Sequence, residues 1–204
     1  MRFKCLECHG YKLAIRGAML SKGVVSYDNF REYNAWDADY DKLEFRCDDL
    51  ANRLSGADGG HNKFLEQIQY WIVIDAPLYF WKQFDTYRIG VSKSSESTMF
   101  RMWKGGIKQE DFEHPIYEET LKRLNEDIQK QIENNDKDLF YEIINNLPDG
   151  YLQTRLVNIN AKSLRNIYQQ RLHHKLKEWR EFCKFIETLP HGSLITKENV
   201  KMEH

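Results

Sequence analysis

The chain has 204 residues, of which 41% are hydrophobic, 13% aromatic and 30% charged, the balance of one ordinary globular domain or two very small ones. Thirty Lys and Arg stand against 31 Asp and Glu, a net charge of −1, so there is no overall basic field to hold a nucleic-acid backbone and no extended nucleic acid is expected as a partner. No apolar stretch approaches the roughly 18 residues of a membrane span, and the opening MRFKCLECHGYK lacks the apolar core of a signal peptide, so the expectation is a cytoplasmic protein with no membrane contact.

The four cysteines, Cys5, Cys8, Cys47 and Cys183, are too few and scattered for a disulfide framework, and reduced thiols follow. Cys5-Leu-Glu-Cys8-His9 matches the C-x-x-C-H spacing of c-type haem attachment and the opening half of many zinc sites. Haem attachment requires export, and zinc requires a second ligand pair, for which His173-His174 is the one close pair. The plain reading is two half-buried thiols near a terminus, with metal binding by Cys5, Cys8 and His9 left open.

Residues 10–60 mix short apolar groups with Gly17, Gly23, Ser26, Asp28, Asn34 and Asp37, and Tyr40 to Leu54 places apolar residues near helical spacing. Helical pieces with an irregular loop are expected, closed by a turn at Ser55 to Gly60. Ile68 to Ile74, IQYWIVI, has the β-branched and aromatic content of a strand that Asp75-Ala76-Pro77 would stop. Proline suits a first helical turn, so LYFWKQFDTYR reads as a buried helix, about 76–88. The serine-rich Val91 to Thr98 reads as a linker.

Tyr117, Leu121, Leu124, Ile128 and Ile132 follow at steps of 4, 3, 4 and 4, one stripe of a long charged helix near 116–134. Leu147-Pro148-Asp149-Gly150 is a turn, Tyr151 to Ile159 a second strand, and Asn160 starts a helix through Arg171. A last helix, about 174–188, has Leu172, Leu176, Trp179, Cys183 and Ile186 on one stripe, and the tail from His191 is polar. Trp71, Trp81 and Trp179 read as core. No internal repeat, P-loop, G-x-G-x-x-G or H-E-x-x-H occurs, and long helices around a few strands indicate an α+β fold.

Two blocks of this sequence resemble the flavin-dependent thymidylate synthases. The first is His61-Asn-Lys-Phe-Leu-Glu66-Gln67-Ile68, the strand, Ala76-Pro77, the helix with Gln83, and Tyr87-Arg88-Ile89. It is similar to the family's His-x-x-x-x-Glu-His opening, Ala-Pro strand end, and Gln-bearing helix leading into Arg-His-Arg-x-x-Ser-x-Asn-x-x-Ser-x-Arg. The second is Leu147-Pro148, then Asn160-Ala-Lys162-Ser-Leu-Arg-Asn166 and Arg171, similar to Leu-Pro, Asn-Ala-Arg-Ser-Leu-x-Asn and a following Arg. Together they span about half the chain. Departures are plain: Thr86-Tyr87 replaces Arg-His, Ser94 the Asn, Met99 the last Arg, Gln67 the His of the opening, and Ile144 a further arginine.

The resemblance implies a small, mainly antiparallel sheet covered by long helices, one such domain over residues 1–190 with a polar tail over 191–204, and a homotetramer. It implies FAD as cofactor, methylenetetrahydrofolate and NADPH as co-substrates, and modification of a pyrimidine deoxynucleotide at C5. On this pattern Arg88, Ser92, Asn160, Lys162 and Asn166 contact the cofactor, and Gln83, Glu96, Ser97 and Arg171 the substrate. By residue type alone, Arg88 is equally a helix C-terminal cation and Asn160 an ordinary N-cap. Phosphate is normally gripped by guanidinium forks, which Met99 and Ile144 cannot supply. Lys93, Lys104 and Arg155 are the candidates to rebuild that grip around an altered substrate. The alternative is a catalytically silent relative that binds a nucleotide or a protein partner, and a third is a helical interaction domain.

Overall fold

In the computed structural model, residues 1–20, 23, 25–28, 44–57 and 60–197 are described. The elements in chain order are β1 (Arg2–His9), α1 (Tyr11–Leu20), α2 (Glu44–Ser55), a 3-10 turn (Lys63–Gln67), β2 (Gln69–Pro77), α3 (Leu78–Phe84), β3 (Val91–Ser95), α4 (Thr98–Gly105) and a second 3-10 turn (Gln109–Asp111). There follow α5 (Glu118–Asn134), α6 (Lys137–Asn146), β4 (Leu152–Asn160), α7 (Ala161–Arg171), α8 (Lys177–Glu187) and α9 (Gly192–Thr196). Residues 29–43, on which part of the expected helical pieces and irregular loop fall, the last tail residues 198–204 and the Cys47 side chain lie outside the described residues. The strands form one antiparallel sheet in the order β1-β2-β4-β3, so the expected α+β class holds.

Two strands were not expected, and both are edges. β3 replaces the linker read at Val91 to Thr98. Its backbone is paired whatever its side chains are, with the Glu96 amide on the Thr154 carbonyl (3.0 Å) and the Asn160 amide on the Gly90 carbonyl (3.1 Å). A serine- and lysine-bearing strand is what an exposed edge tolerates. β1 alternates half-buried Phe3 and Cys5 with exposed Arg2, Lys4 and Leu6. Burial raises the Cys5 and Cys8 thiols above their ordinary range, a rise that the neighbouring Tyr70 hydroxyl partly offsets at Cys8. His9 pairs with Glu7 at 2.7 Å.

β2 runs three residues past the expected end. Asp75 lies buried inside it because its carboxylate has partners: Arg2 Nε and Nη2 at 2.9 and 2.5 Å, and the Thr154 hydroxyl at 3.1 Å. Pro77, without an N–H, is tolerated as the last strand residue and stands at the N-cap of α3 rather than in its first turn. α3 is correspondingly shorter than the expected 76–88 and ends at Phe84. The Asp85, Thr86 and Tyr87 amides close turns onto Trp81, Gln83 and Phe84.

The chain divides into two compact units: Met1–Lys4, Val73–Arg88 and Lys93–Val157 form the first, and Cys5–Ile72, Ile89–Ser92 and Asn158–His204 the second. The first unit is built on Met102, Ile107, Phe112, Leu124, Ile128, Ile143 and Tyr151, with Phe80, Trp81 and Phe84 of α3 also buried. Of the predicted α5 stripe, Leu124 and Ile128 are buried, whereas Tyr117 and Ile132 at its ends are exposed. α5 ends on Asn135 in the left-handed region (φ 50°), and Asp136 caps α6 by accepting from the amides of Asp138 and Leu139.

In the second unit, Trp179, Phe182, Cys183 and Ile186 of α8 are fully buried, as are Ile15, Leu65, Ile68, Tyr70 and Ile167. Trp81 and Trp179 are core as expected, but Trp71 is 38% exposed. The polar tail is also corrected at its start: Gly192–Thr196 is helical, with Leu194 and Ile195 buried. The Arg165 guanidinium holds that helix by donating to the Leu194 carbonyl at 3.0 Å. Burial of this kind makes Trp179→Ala cost about 3–5 kcal/mol, read as the loss in urea unfolding. Tyr117→Ala, at an 82% exposed position, is expected to stay within about 0.5 kcal/mol of wild type.

Candidate functional site

The register of β3 on β4 places Lys93 and Arg155 on one face, because directly opposed residues share a side and side chains alternate. In the first unit both side chains converge on Asp85, the C-cap of α3. Arg155 Nη1 donates to the two carboxylate oxygens at 2.9 and 3.1 Å, and Lys93 Nζ lies 2.7 Å from Oδ1. Burial alone would raise the Asp85 carboxyl, but hydrogen bonds from Lys93 and Arg155 and their charges outweigh it, and the group sits below the usual carboxylate range. Arg155 stacks 4.3 Å over Trp81, and Lys93 stands 5.5 Å from the Phe84 ring centre.

Gln153 ties this group to the next. Its Oε1 accepts from Arg155 Nε at 2.9 Å, and its Nε2 donates to the Glu96 carbonyl and the Thr98 hydroxyl, both at 3.1 Å. The Glu96 carboxylate accepts from the Thr154 amide (2.8 Å) and from Arg101 Nη1 (3.2 Å). Arg101 reaches on to Asp111 at 2.5 Å and to the Leu152 carbonyl at 3.1 Å. Ser97 is the N-cap of α4, its Oγ accepting from the Phe100 amide at 3.3 Å. Beneath them the Tyr151 phenol is buried without a hydrogen-bond partner among the described residues. Burial, partly offset by Arg101, pushes its pKa up to about 12.

In the second unit a tight turn meets the start of α7. Gly90 has φ 64°, and a Cβ there would lie 2.0 Å from Asn160 Nδ2, so only glycine fits. Asn160 is the N-cap, its Oδ1 accepting from the Ser163 amide at 2.8 Å, and the Ser163 hydroxyl donates to the Ile89 carbonyl at 2.5 Å. Lys162 Nζ is bonded to Asn62 Oδ1. Asn166, exposed, accepts from Gln170 at 2.9 Å, and the Arg171 guanidinium lies 4.6 Å from the Trp179 ring centre. Ser92 is exposed on β3.

Within the first unit the structure therefore brings Glu96 and Ser97 together, with Gln83 half-buried on α3. Arg88 is exposed, four residues beyond the end of α3, so the helix-end reading does not apply to it. No ion pair among the described residues neutralises it. Within the second unit Asn160 and Lys162 stand together at the start of α7, while Asn166 and Arg171 lie farther along the helix. The two asparagine and lysine side chains already serve the fold, Asn160 as cap and Lys162 through Asn62.

Sequence reasoning missed Asp85, Gln153, Arg101 and Gly90. The alternation of Gln153 and Arg155 along a strand was a readable signal; the meeting of Asp85 with Lys93 was not, since seven residues of turn and strand lie between them. Two of the three cations expected to rebuild a phosphate grip, Lys93 and Arg155, already hold a carboxylate. The third, Lys104, lies 5.2 Å from the Phe100 ring centre.

A family model described as thymidylate synthase complementing protein matches residues 19–189. No curated relative matches the sequence. Among solved structures, thymidylate synthase X from Helicobacter pylori with FAD and dUMP is similar, with a TM-score of 0.72 at 19% identity over 96% of this chain and 98% of that one. A second Helicobacter pylori structure, a flavin dependent thymidylate synthase complexed with FAD and dUMP, has the same score and identity over 98% and 100%. The UMP/dUMP methylase PolB from Streptomyces cacaoi bound with 5-Br UMP has a TM-score of 0.59 at 12% identity over 92% and 87%. At such identities these likenesses concern the fold.

The turn at Gly90 is directly testable. Gly90→Ala combines a left-handed backbone with a collision at Asn160 and is expected to lose about 1–3 kcal/mol in urea unfolding. Gly105→Ala, at the end of α4 with no atom within 4 Å of its added Cβ, is expected to be neutral or slightly stabilising.

Proposed function

This chain belongs to the thymidylate synthase complementing protein family, and from that premise we propose that it is a flavin-dependent enzyme methylating C5 of a pyrimidine deoxynucleotide. The observation that carries the reading is the family match over most of the chain, supported by similar folds whose structures hold FAD and dUMP. Bound FAD supplies hydride chemistry, with methylenetetrahydrofolate as carbon donor and NADPH as reductant. The donor set is compatible with such an anion. In the first unit the exposed Arg88 guanidinium suits a diphosphate; in the second, Ser92, Asn166 and the α7 start with Asn160 and Lys162 carry polar atoms of their own.

On the substrate side, Gln83 presents an amide to the base edge, and Ser97 a hydroxyl whose oxygen is engaged as a cap but whose proton is free to donate. Glu96 is held in one orientation by Thr154 and Arg101; Arg171, which belongs to the second unit, is carried over from the family pattern alone. Met99 and Ile144 provide none. Each missing charge-assisted contact is worth roughly 1.5–3 kcal/mol, or about 10- to 150-fold in affinity, so deoxyuridylate is an inferior ligand or the substrate is a related nucleotide.

We further read the protein as a cytoplasmic homotetramer, on family grounds. The apolar side of α3 is not its interface, since Phe80, Trp81 and Phe84 are buried within the protomer. Among the described residues no helix is long and apolar enough to cross a membrane. Sedimentation at micromolar concentration is expected to give a tetramer, and a monomer contradicts this part of the reading. Purified protein is expected to be yellow, with flavin in the released small molecules. Arg88→Ala is expected to weaken flavin binding about 10- to 150-fold. Colourless protein that takes up no added flavin, or flavin affinity unchanged in that variant, overturns the assignment.

A further inference from the structure

We propose that Lys93 and Arg155 form an anion site occupied from within the protein by Asp85, and that the phosphate of a nucleotide monoester enters it by displacing that carboxylate. The identity of the anion rests on the nucleotide reading above; the existence of the site does not.

The cations are the fixed members of the group. Both stand on strands, with side chains only 19% (Lys93) and 14% (Arg155) exposed. Arg155 is pinned in two ways, Nε on Gln153 and the guanidinium over Trp81, and these two partners are themselves tied, the Trp81 indole N–H donating to the Gln153 carbonyl at 2.9 Å. Asp85 is the outer member. Its side chain is 44% exposed, and it sits where α3 has just ended, on a short side chain that one rotation carries into solvent.

The charges do not balance. Two cations face one carboxylate, and Arg155 Nη2 has no hydrogen bond among the described residues. A phosphate monoester near neutral pH carries a charge of about −1.5 to −2 and three acceptor oxygens, which matches an ammonium plus a guanidinium fork better than a single carboxylate does. The carboxylate is held ionised by these same neighbours, so it competes with an incoming anion at neutral pH. The arrangement also answers the absence of donors at Met99 and Ile144: guanidinium and ammonium are present in this unit, but behind an internal counter-ion.

The test uses the protein as purified, with its flavin, in calorimetric titrations of inorganic phosphate, deoxyuridylate and deoxyuridine. Asp85→Asn keeps the shape of the side chain and removes the competing charge, and is expected to bind phosphate and deoxyuridylate about tenfold more tightly than wild type. Arg155→Gln and Lys93→Gln are expected to weaken both by about tenfold or more. Arg155→Lys, which keeps the charge without the fork, is expected to fall between. Deoxyuridine, lacking the phosphate, should respond to none of them. Circular dichroism identifies any variant that fails to fold, and the isosteric Asp85→Asn then decides alone.

Phosphate affinity indifferent to Asp85→Asn, or deoxyuridine and deoxyuridylate responding equally, overturns the proposal and leaves Asp85 as a plain internal ion pair. The two readings fail separately. Colourless protein whose phosphate binding still follows these charges sinks the flavin enzyme and keeps the site. Flavin-loaded protein whose phosphate binding ignores them sinks the site and keeps the enzyme.

Discussion

The antiparallel pairing of β3 with β4 sets the positions of Lys93, Glu96, Arg155 and Asn160. Backbone bonds from Glu96 to Thr154 and from Asn160 to Gly90 fix the register, and a slip of one residue between the strands would put Lys93 and Arg155 on opposite faces. The same pairing holds Glu96 against the Thr154 amide within the first unit and packs Gly90 against the Asn160 amide within the second. Because these are main-chain bonds, the strand forms from a segment whose side chains carry almost no strand preference of their own.

Polar groups inside the first unit are kept by mutual satisfaction. Asp75 is held by Arg2 and Thr154, Glu96 by Arg101 and Thr154, and Gln153 by Arg155 and Thr98. Removing one partner from such a network leaves another buried and unpaired, which costs more than the bond itself contributes. Among the described residues the Tyr151 hydroxyl is the exception, buried without a hydrogen-bond partner. Its ring is nevertheless well placed, edge-on to Phe112 at 5.5 Å and 5.3 Å from the Arg101 guanidinium, so packing and the cation hold the side chain where its hydroxyl gains nothing.

Substitutions within the resembling segments share a direction. Guanidinium groups give way to Thr86, Met99 and Ile144, and a carboxylate, Asp85, stands in the turn after α3. Positive charge persists on β3 and β4 as Lys93 and Arg155, but in company with that carboxylate. The net effect is a weaker local positive field in a protein whose total charge is already near zero.

The sequence by itself determined the α+β class, the central strands β2 and β4, the amphipathic helices α5 and α8, and the two blocks that resemble the family. These features are local: a dense β-branched run such as IQYWIVI and a stripe such as Leu121, Leu124 and Ile128 declare their periodicity without knowledge of distant residues. Tertiary structure alone decided the rest. β3 exists because β4 lies beside it, Asp75 stays in a strand because Arg2 and Thr154 reach it, and Gly192–Thr196 is helical where its composition suggested a loose polar tail. For the candidate site, Asn160 as a cap was legible by residue type, whereas Arg88, read as a helix-end cation, lies exposed beyond the end of α3. The convergence of Asp85, Lys93 and Arg155 was not legible, because hydrogen bonds and charge pairing between residues up to 70 positions apart leave no periodic trace in the chain, and strand register has to bring them together first.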